Sequence, residues 1–271
     1  MRLRAALSIG ILLSCWGVLR AQKEFKEYEA IEYSNFQLPP DAGAKTEFTR
    51  ARLRYTDING QRELGFQAYW TMDYPRADRH LLEGLRRLTR MDVRSVEQVV
   101  DLDGTDDIYN WPFVYGVEVG HWTLSEKEAV QFREYLMRGG FFMVDDFHGG
   151  DEWDIFVDGI TKVFPNRPIV DIESGDPIFH TVSDLNDRFQ VPGWGAWTQN
   201  HVTWEQRSEG DNREPHWRGI YDDKGRLMVV ICHNMDLGDA WEHSDDAIYP
   251  EHFASLAYRV AVNYTIYHLT H

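Results

Sequence analysis

Hydrophobic and polar positions recur with two different periods along the chain, and the changes between them predict a succession of strands and helices. Short alternating or apolar runs predict strands at residues 49–55, 98–102, 113–117 and 169–172. Leucines at i, i+4 and i+7 predict an amphipathic helix over residues 76–90.

The clearest unit begins at Ser125, which forms a capping-box pattern with Glu128 at the start of a helix that ends at Gly139. Residues 141–144 follow and are apolar without alternation, which is typical of a strand buried on both faces in a parallel sheet. Helical spacing resumes over residues 153–163. Helix, buried strand and helix in this order predict a βαβ arrangement.

The C-terminal half adds a hairpin and a long helix. Two strands at residues 218–221 and 227–232 flank a turn rich in Asp and Gly, and residues 253–267 place apolar side chains on one helical face. Residues 22–48 are polar, contain a Pro-Pro break and predict an extended N-terminal arm that packs loosely or reaches outwards. We therefore expect one α/β domain over residues 49–271.

Residues 1–21 have the pattern of a cleavable secretion signal. Two arginines in the first four residues precede a weakly polar run over residues 5–19, and Ala21 suits the cleavage site. About fifteen apolar residues fall short of the roughly 20 that a transmembrane helix needs. The sequence predicts an exported protein, periplasmic or secreted; the alternative is a lipoprotein acylated at Cys15.

The charge of the chain narrows the range of partners. Its formal net charge is −16, and removal of the arginine-bearing signal makes the remainder more acidic. Such a charge disfavours nucleic acids and anionic membranes, because phosphate binding needs a basic surface. No later segment is long and apolar enough to predict a membrane span in the mature chain. A neutral ligand or a cation is compatible with this composition.

The leading candidate site follows the most buried predicted strand. Ligands of open α/β sheets bind beyond the carboxyl ends of the strands. Asp145 and Asp146 occupy that position here, followed by His148, Gly149 and Gly150. We expect Asp146 or His148 to act as a general base or metal ligand, and Asp145 and the glycines to contact a ligand. The alternative is that the carboxylates of this loop cap the next helix.

A second polar cluster follows the strand at residues 227–232. If this strand runs parallel to residues 141–144, both clusters emerge at one edge of the sheet. His233 is then a third catalytic candidate, and the ligand-binding candidates are Asn234, Asp236, Asp239, Trp241 and Glu242. The mixture of imidazole and carboxylate is suited to a divalent metal, although its spacing matches no named metal motif. The alternative is a solvated acidic loop.

Three further residues are weaker candidates. His180 is either a ligand-binding candidate or a turn residue. Trp194 lies in a glycine-flanked loop, where its indole would either stack on a sugar or cover the core. Cys232 adjoins a histidine, but a thiol inside an apolar strand is usually inert packing.

Several of these stretches together resemble the bacterial domain-of-unknown-function family numbered 4159. The resemblance rests on residues 139–149, 175–180, 225–242 and 257–264 and spans about residues 50–271. It implies membership of the class I glutamine amidotransferase-like superfamily, hence a flavodoxin-like three-layer sandwich with a mostly parallel central sheet. The amidotransferase cysteine has no counterpart, because residues 146–148 occupy its place. The trehalose-utilisation-type branch, which also lacks this cysteine, is the closest analogy.

Two functions are consistent with the sequence. The first is an exported hydrolase or binding protein for a neutral ligand, for instance a saccharide, without a cysteine nucleophile and with a divalent metal as a candidate cofactor. The second is a non-catalytic interaction module of the cell envelope, in which the acidic surface and the arm contact other proteins.

Overall fold

The computed structural model describes residues 23–29, 36–62, 68–205 and 212–271. The predicted secretion signal at residues 1–21 and the lipoprotein alternative at Cys15 therefore lie outside the described residues. The strands are β1 (Ala51–Leu53), β2 (Thr56–Asp57), β3 (Gln98–Val100), β4 (Phe113–Val117), β5 (Trp122–Thr123), β6 (Phe141–Asp145), β7 (Val170–Asp171), β8 (His216–Tyr221) and β9 (Leu227–His233). The helices are α1 (Arg76–Leu88), α2 (Glu126–Met137), α3 (Gly149–Val163), α4 (Trp194–Asn200), α5 (Leu237–Glu242) and α6 (Glu251–Thr270).

A seven-stranded sheet organises the domain, in the order β3-β1-β4-β6-β9-β8-β7. The first five strands of this order run parallel to one another, and β8 and β7 add antiparallel pairs at one edge. Strands β2 and β5 form a separate antiparallel pair. The expected α/β class with a mostly parallel central sheet is confirmed.

The helices cover both faces of this sheet, because alternate residues of each central strand point to opposite sides. In β6, Phe141 and Met143 join the core beneath α1, α5 and α6, whereas Phe142 and Val144 join the core beneath α2 and α3. The sheet therefore has a hydrophobic core on each face, because its central strands carry apolar side chains on both sides.

The predicted elements are present in the structure, with small shifts in their bounds. The capping box of α2 is formed, since Ser125 accepts a hydrogen bond from the Glu128 amide and the Glu128 carboxylate accepts one from Ser125. Two differences matter for function. Helix α3 begins at Gly149, so the predicted loop after β6 is shorter than expected. Two short helices, α4 and α5, occupy segments that the sequence predicts as loops.

The described part of the N-terminal arm contacts the domain through a few side chains, although most of its residues are exposed or half-buried. Lys23 Nζ lies 3.0 Å from Asp103, and Tyr28 meets Trp70 edge to face with 5.6 Å between ring centroids. Glu27 forms an ion pair of 2.7 Å with Arg79. In the described parts of the chain, no helix has both the length and the apolar character required to cross a bilayer.

A buried ion network joins β1 to α1. Asp78 accepts hydrogen bonds from Arg50 NH2 at 2.6 Å and from Arg52 Nε at 2.8 Å, and all three side chains are almost completely buried. The Arg50 guanidinium also lies 4.0 Å from the centroid of the Tyr115 ring. One buried carboxylate is therefore the ion-pair partner of two buried arginines.

Replacement of Asp78 by alanine is expected to lower the free energy of unfolding by about 3–5 kcal/mol, because two buried guanidinium groups lose their counter-ion. Chemical denaturation measures the change. Asp245→Ala is the matched control: Asp245 also pairs with an arginine at 2.6 Å, but its side chain is 63% exposed, so a loss of about 0–1 kcal/mol is expected. Equal losses in both variants would show that the buried network does not stabilise the fold.

Candidate active site at the carboxyl edge of the sheet

Strands β6 and β9 are adjacent and parallel, with Val144 opposite Ile231. The loops that follow them therefore leave the sheet at the same edge, as the expected site requires. Three hydrogen bonds join the two loops: Asp146 N donates to Met235 O, Asn234 N donates to Phe147 O, and Gly149 N donates to Asn234 Oδ1. The two sequence clusters thus form one structural unit.

The turn after β6 separates two consecutive carboxylates. Asp145 lies on the face of α5, where its Oδ2 accepts hydrogen bonds from the amides of Leu237 and Gly238. Asp146 adopts the left-handed conformation with φ of 53°, which is uncommon outside glycine. Asp145 therefore caps a helix, which is the role that the alternative interpretation gave to carboxylates of this loop. The helix that it caps is α5, however, and not α3, which follows it in sequence.

Asp146 lies at the centre of two groups of polar side chains. His148 Nε2 is 3.2 Å from Asp146 Oδ1 and 4.0 Å from Glu205 Oε1. Asp146 also belongs to a group with Asp73 and Asp236, in which one carboxylate oxygen of each residue lies within 4.8 Å of the others. Asp73, Asp146, His148 and Asp236 are all at most 3% exposed. Four segments of the chain therefore bring oxygen and nitrogen donors to one place.

Carboxylate oxygens also converge on Gly193, which precedes α4. A Cβ atom at this position would collide with Oε1 of Glu205 and would lie 2.8 Å from Oδ2 of Asp236 and 3.1 Å from Oδ2 of Asp239. Only glycine leaves these oxygens their present positions. Asp239 is fixed in this arrangement by the Trp194 amide, which donates to its Oδ2 at 2.5 Å.

Two neighbouring groups contain the same types of donor. His121 Nε2 is 3.5 Å from Glu118 Oε2 and 3.6 Å from Glu152 Oε1. Glu152 is linked to the central site, since its Oε2 accepts a 2.6 Å hydrogen bond from the His148 amide. The other group contains Asp239, Glu242 and His243 and lies along α5.

The remaining histidine and tryptophan candidates do not join the central group. His233 Nε2 is 3.0 Å from Gly149 O and its ring stacks on His216, so it supports the start of α3. His180 is paired with Asp184 at 2.8 Å on the surface. Trp241 is completely buried, 5.7 Å from Tyr115 between ring centroids. The indole Nε1 of Trp194 donates a hydrogen bond of 3.0 Å to Asp246. This bond uses the N–H group of the indole.

Other candidates occupy supporting positions. Asn234 connects three segments, because its Nδ2 donates to Glu214 O in addition to its bonds with the loop after β6. Gly149, with φ of 73°, and Gly150 begin α3 and thus belong to a helix and not to an open loop. Cys232 points into the core, where burial raises the pKa of its thiol well above the ordinary value. This agrees with inert packing.

The sequence did not reveal Asp73, Glu205 or the group formed by Glu118, His121 and Glu152. Asp73 precedes α1 and Glu205 follows α4, and each reaches the site only through tertiary packing. Glu118 directly follows β4, so the rule that ligands bind at carboxyl ends of parallel strands was sufficient to select it. No local spacing signal distinguishes Asp73 or Glu205 from other acidic residues.

Burial and mutual repulsion make the carboxylates of this site hard to ionise. Burial raises the pKa of Asp145 to about 7 and that of Asp239 to about 8, the latter assisted by the charge of Glu242. Burial also raises the pKa of Asp236 well above its usual value, with further contributions from Asp146 and Asp239. Protons or a cation must therefore compensate part of the negative charge near neutral pH.

We expect the carboxyls of Asp145, Asp236 and Asp239 to contribute a fall in the free energy of unfolding, measured in chelator, as pH rises from 4 to 8. A carboxyl whose pKa is raised by folding binds its proton more tightly in the folded state, so its stabilisation is complete below the unfolded pKa, near 3.9, and is lost up to the folded pKa. Asp239→Asn keeps the hydrogen-bond acceptor and removes the titration. It should make the slope shallower, by up to about 1.4 kcal/mol per pH unit. An unchanged slope in Asp239→Asn contradicts the assignment.

Comparison with known protein families gives a match that covers most of the chain. The sequence profile of the family described as domain of unknown function (DUF4159) matches residues 49–269, which include every residue of the site. No curated protein matches the chain. Since the match covers most of the sequence, the chain belongs to the DUF4159 family.

Proposed function

We propose that this protein is an exported hydrolase or binding protein that holds a divalent cation at the carboxyl edge of its sheet and acts on a neutral ligand. One observation carries the proposal: Asp146 shares one group with Asp73 and Asp236 and another with His148 and Glu205. Carboxylates with an adjacent imidazole are a suitable donor set for Mg²⁺, Mn²⁺ or Zn²⁺. A cation there would also compensate the negative charge that burial disfavours.

The residues of this site have distinct roles in a hydrolytic reaction. Asp73, Asp146 and Asp236 would hold the cation, which would polarise the ligand or a water molecule. In the tautomer that donates Nε2–H to Asp146, Nδ1 of His148 is the basic nitrogen, which suits a general base. Glu205 supports the same side of the imidazole. No step requires a thiol, in agreement with the buried position of Cys232.

Export and superfamily membership belong to the same proposal. The signal pattern at residues 1–21 supports export to the periplasm or the medium, with acylation at Cys15 as the alternative. The five parallel strands, numbered along the chain, have the order 2-1-3-4-5, which supports a flavodoxin-like architecture and a relationship to class I glutamine amidotransferases. On this proposal, residues 146–148, which begin with the left-handed Asp146, would correspond to the turn that carries the cysteine in those enzymes.

The cation is tested by elemental analysis and by thermal shift with Mg²⁺, Mn²⁺, Ca²⁺ and Zn²⁺. A cation present at 100 times its Kd stabilises the folded state by about 2.7 kcal/mol. For a domain of this size, we expect this to raise Tm by roughly 5–10 °C. The double variant Asp146→Asn/His148→Ala should lose the shift.

The matched control is His180→Ala/Asp184→Asn, because this pair has the same residue types and a 2.8 Å contact but is exposed and outside the site. It should keep the full shift. Absence of any cation effect in the unaltered protein, together with the absence of any response to sugars, would remove this proposal. The envelope interaction module would then be the remaining candidate function. Pull-down from envelope extracts, with and without the N-terminal arm, tests that function.

A further inference from the structure

A surface pocket of about 260 Å³ lies beside the proposed site, between α4 and the segment that follows it. Its lining includes Gly195, Ala196, Gln199, Asn200, Trp204 and Glu205. Pockets for drug-sized molecules are usually larger, about 300–1,000 Å³, so this one suits a smaller ligand or one unit of a longer molecule.

The chemistry of the lining favours a neutral ligand with many hydroxyl groups. Gln199 and Asn200 each offer an amide donor and an amide acceptor, which match hydroxyl groups in both directions. Trp204 provides an apolar ring surface, and Arg213 lies over this ring at 4.5 Å from its centroid. Among the described residues that line the pocket there is no lysine or arginine, and Glu205 adds a negative charge, so this lining favours a neutral ligand over an anionic one.

Glu205 connects this pocket to the proposed site. The same residue lines the pocket, and its Oε1 lies 4.0 Å from His148 Nε2. Its Oε1 also lies against Gly193, beside the carboxylates of Asp236 and Asp239. A ligand in the pocket is therefore adjacent to the groups that would carry out the reaction.

We propose that this pocket binds one pyranose unit of a saccharide. Trp204 packs against the apolar face of the ring, Gln199 and Asn200 bond its hydroxyl groups, and Glu205 receives the hydroxyl nearest to His148. Trp194, the tryptophan that the sequence favoured for this task, has its indole bonded to Asp246 and is not needed. Hydrolysis of a saccharide bound in this pocket rests on the proposed function. Binding of the saccharide is tested separately.

The test uses the mature chain and saturation-transfer NMR with a glycan panel that contains glucose, galactose, N-acetylglucosamine and uronic acid disaccharides. Adenosine and glucose 6-phosphate serve as counter-probes for stacking alone and for anions. We expect at least one neutral disaccharide to bind, and the counter-probes to bind more weakly. Trp204→Ala should weaken this binding roughly tenfold, since a stacking surface is removed.

Two further variants separate pocket binding from unfolding. Ala196→Trp fills the pocket and should abolish saccharide binding, whereas Gln61→Ala replaces an exposed amide outside it and should have no effect. Binding that is unchanged in both Trp204→Ala and Ala196→Trp, or the absence of binding across the panel, overturns the pocket assignment.

The cation-induced rise in Tm separates the two proposals. If Ala196→Trp retains that rise and the unaltered protein binds no saccharide, the pocket assignment fails and the cation site stands. If saccharide binding depends on Trp204 but no cation raises Tm, the pocket assignment stands and the cation site of the proposed function fails.

Discussion

The parallel pairing of β6 with β9 is the constraint on which the site depends. Because the two strands run in the same direction, their loops leave the sheet side by side, and three hydrogen bonds then join the loops. An antiparallel partner in this position would send its loop to the opposite edge. The antiparallel strands β8 and β7 lie beyond β9, where their direction does not disturb this arrangement. The sheet topology thus decides which polar residues can meet.

Charge compensation is the second constraint. The carboxyl edge gathers acidic side chains that are almost completely buried, while Arg50 and Arg52 are paired with Asp78. Burial raises the pKa of Asp236 and Asp239, and repulsion from neighbouring carboxylates adds to the shift. Carboxyls that retain protons near neutral pH can release them when a cation binds, because the cation then compensates their negative charge. The carboxylates that would hold the proposed cation therefore also affect the stability of the fold.

Periodicity and capping predicted the regular elements because those signals are local. The capping box at Ser125 and the apolar run at residues 141–144 each depend on neighbours within a few residues. Helices α4 and α5 have only 7 and 6 residues, too few for a repeated apolar face, and the sequence therefore indicated loops. Asp73 and Glu205 reach the site from distant segments, and one sequence contains no signal for such an approach.

The pair Asp145 and Asp146 shows how one turn assigns two tasks to adjacent identical residues. In a continuing strand, the two side chains would lie on opposite faces, and one of them would be lost to the site. Asp145 keeps the strand direction and caps α5, which fixes the position of the loop that carries Asp236. The left-handed conformation of Asp146 ends the strand, and its carboxylate meets His148 at 3.2 Å. Asp145 therefore positions the loop that contributes Asp236, whereas Asp146 is itself a member of the site. The order of the two residues in the chain decides which of them has which role.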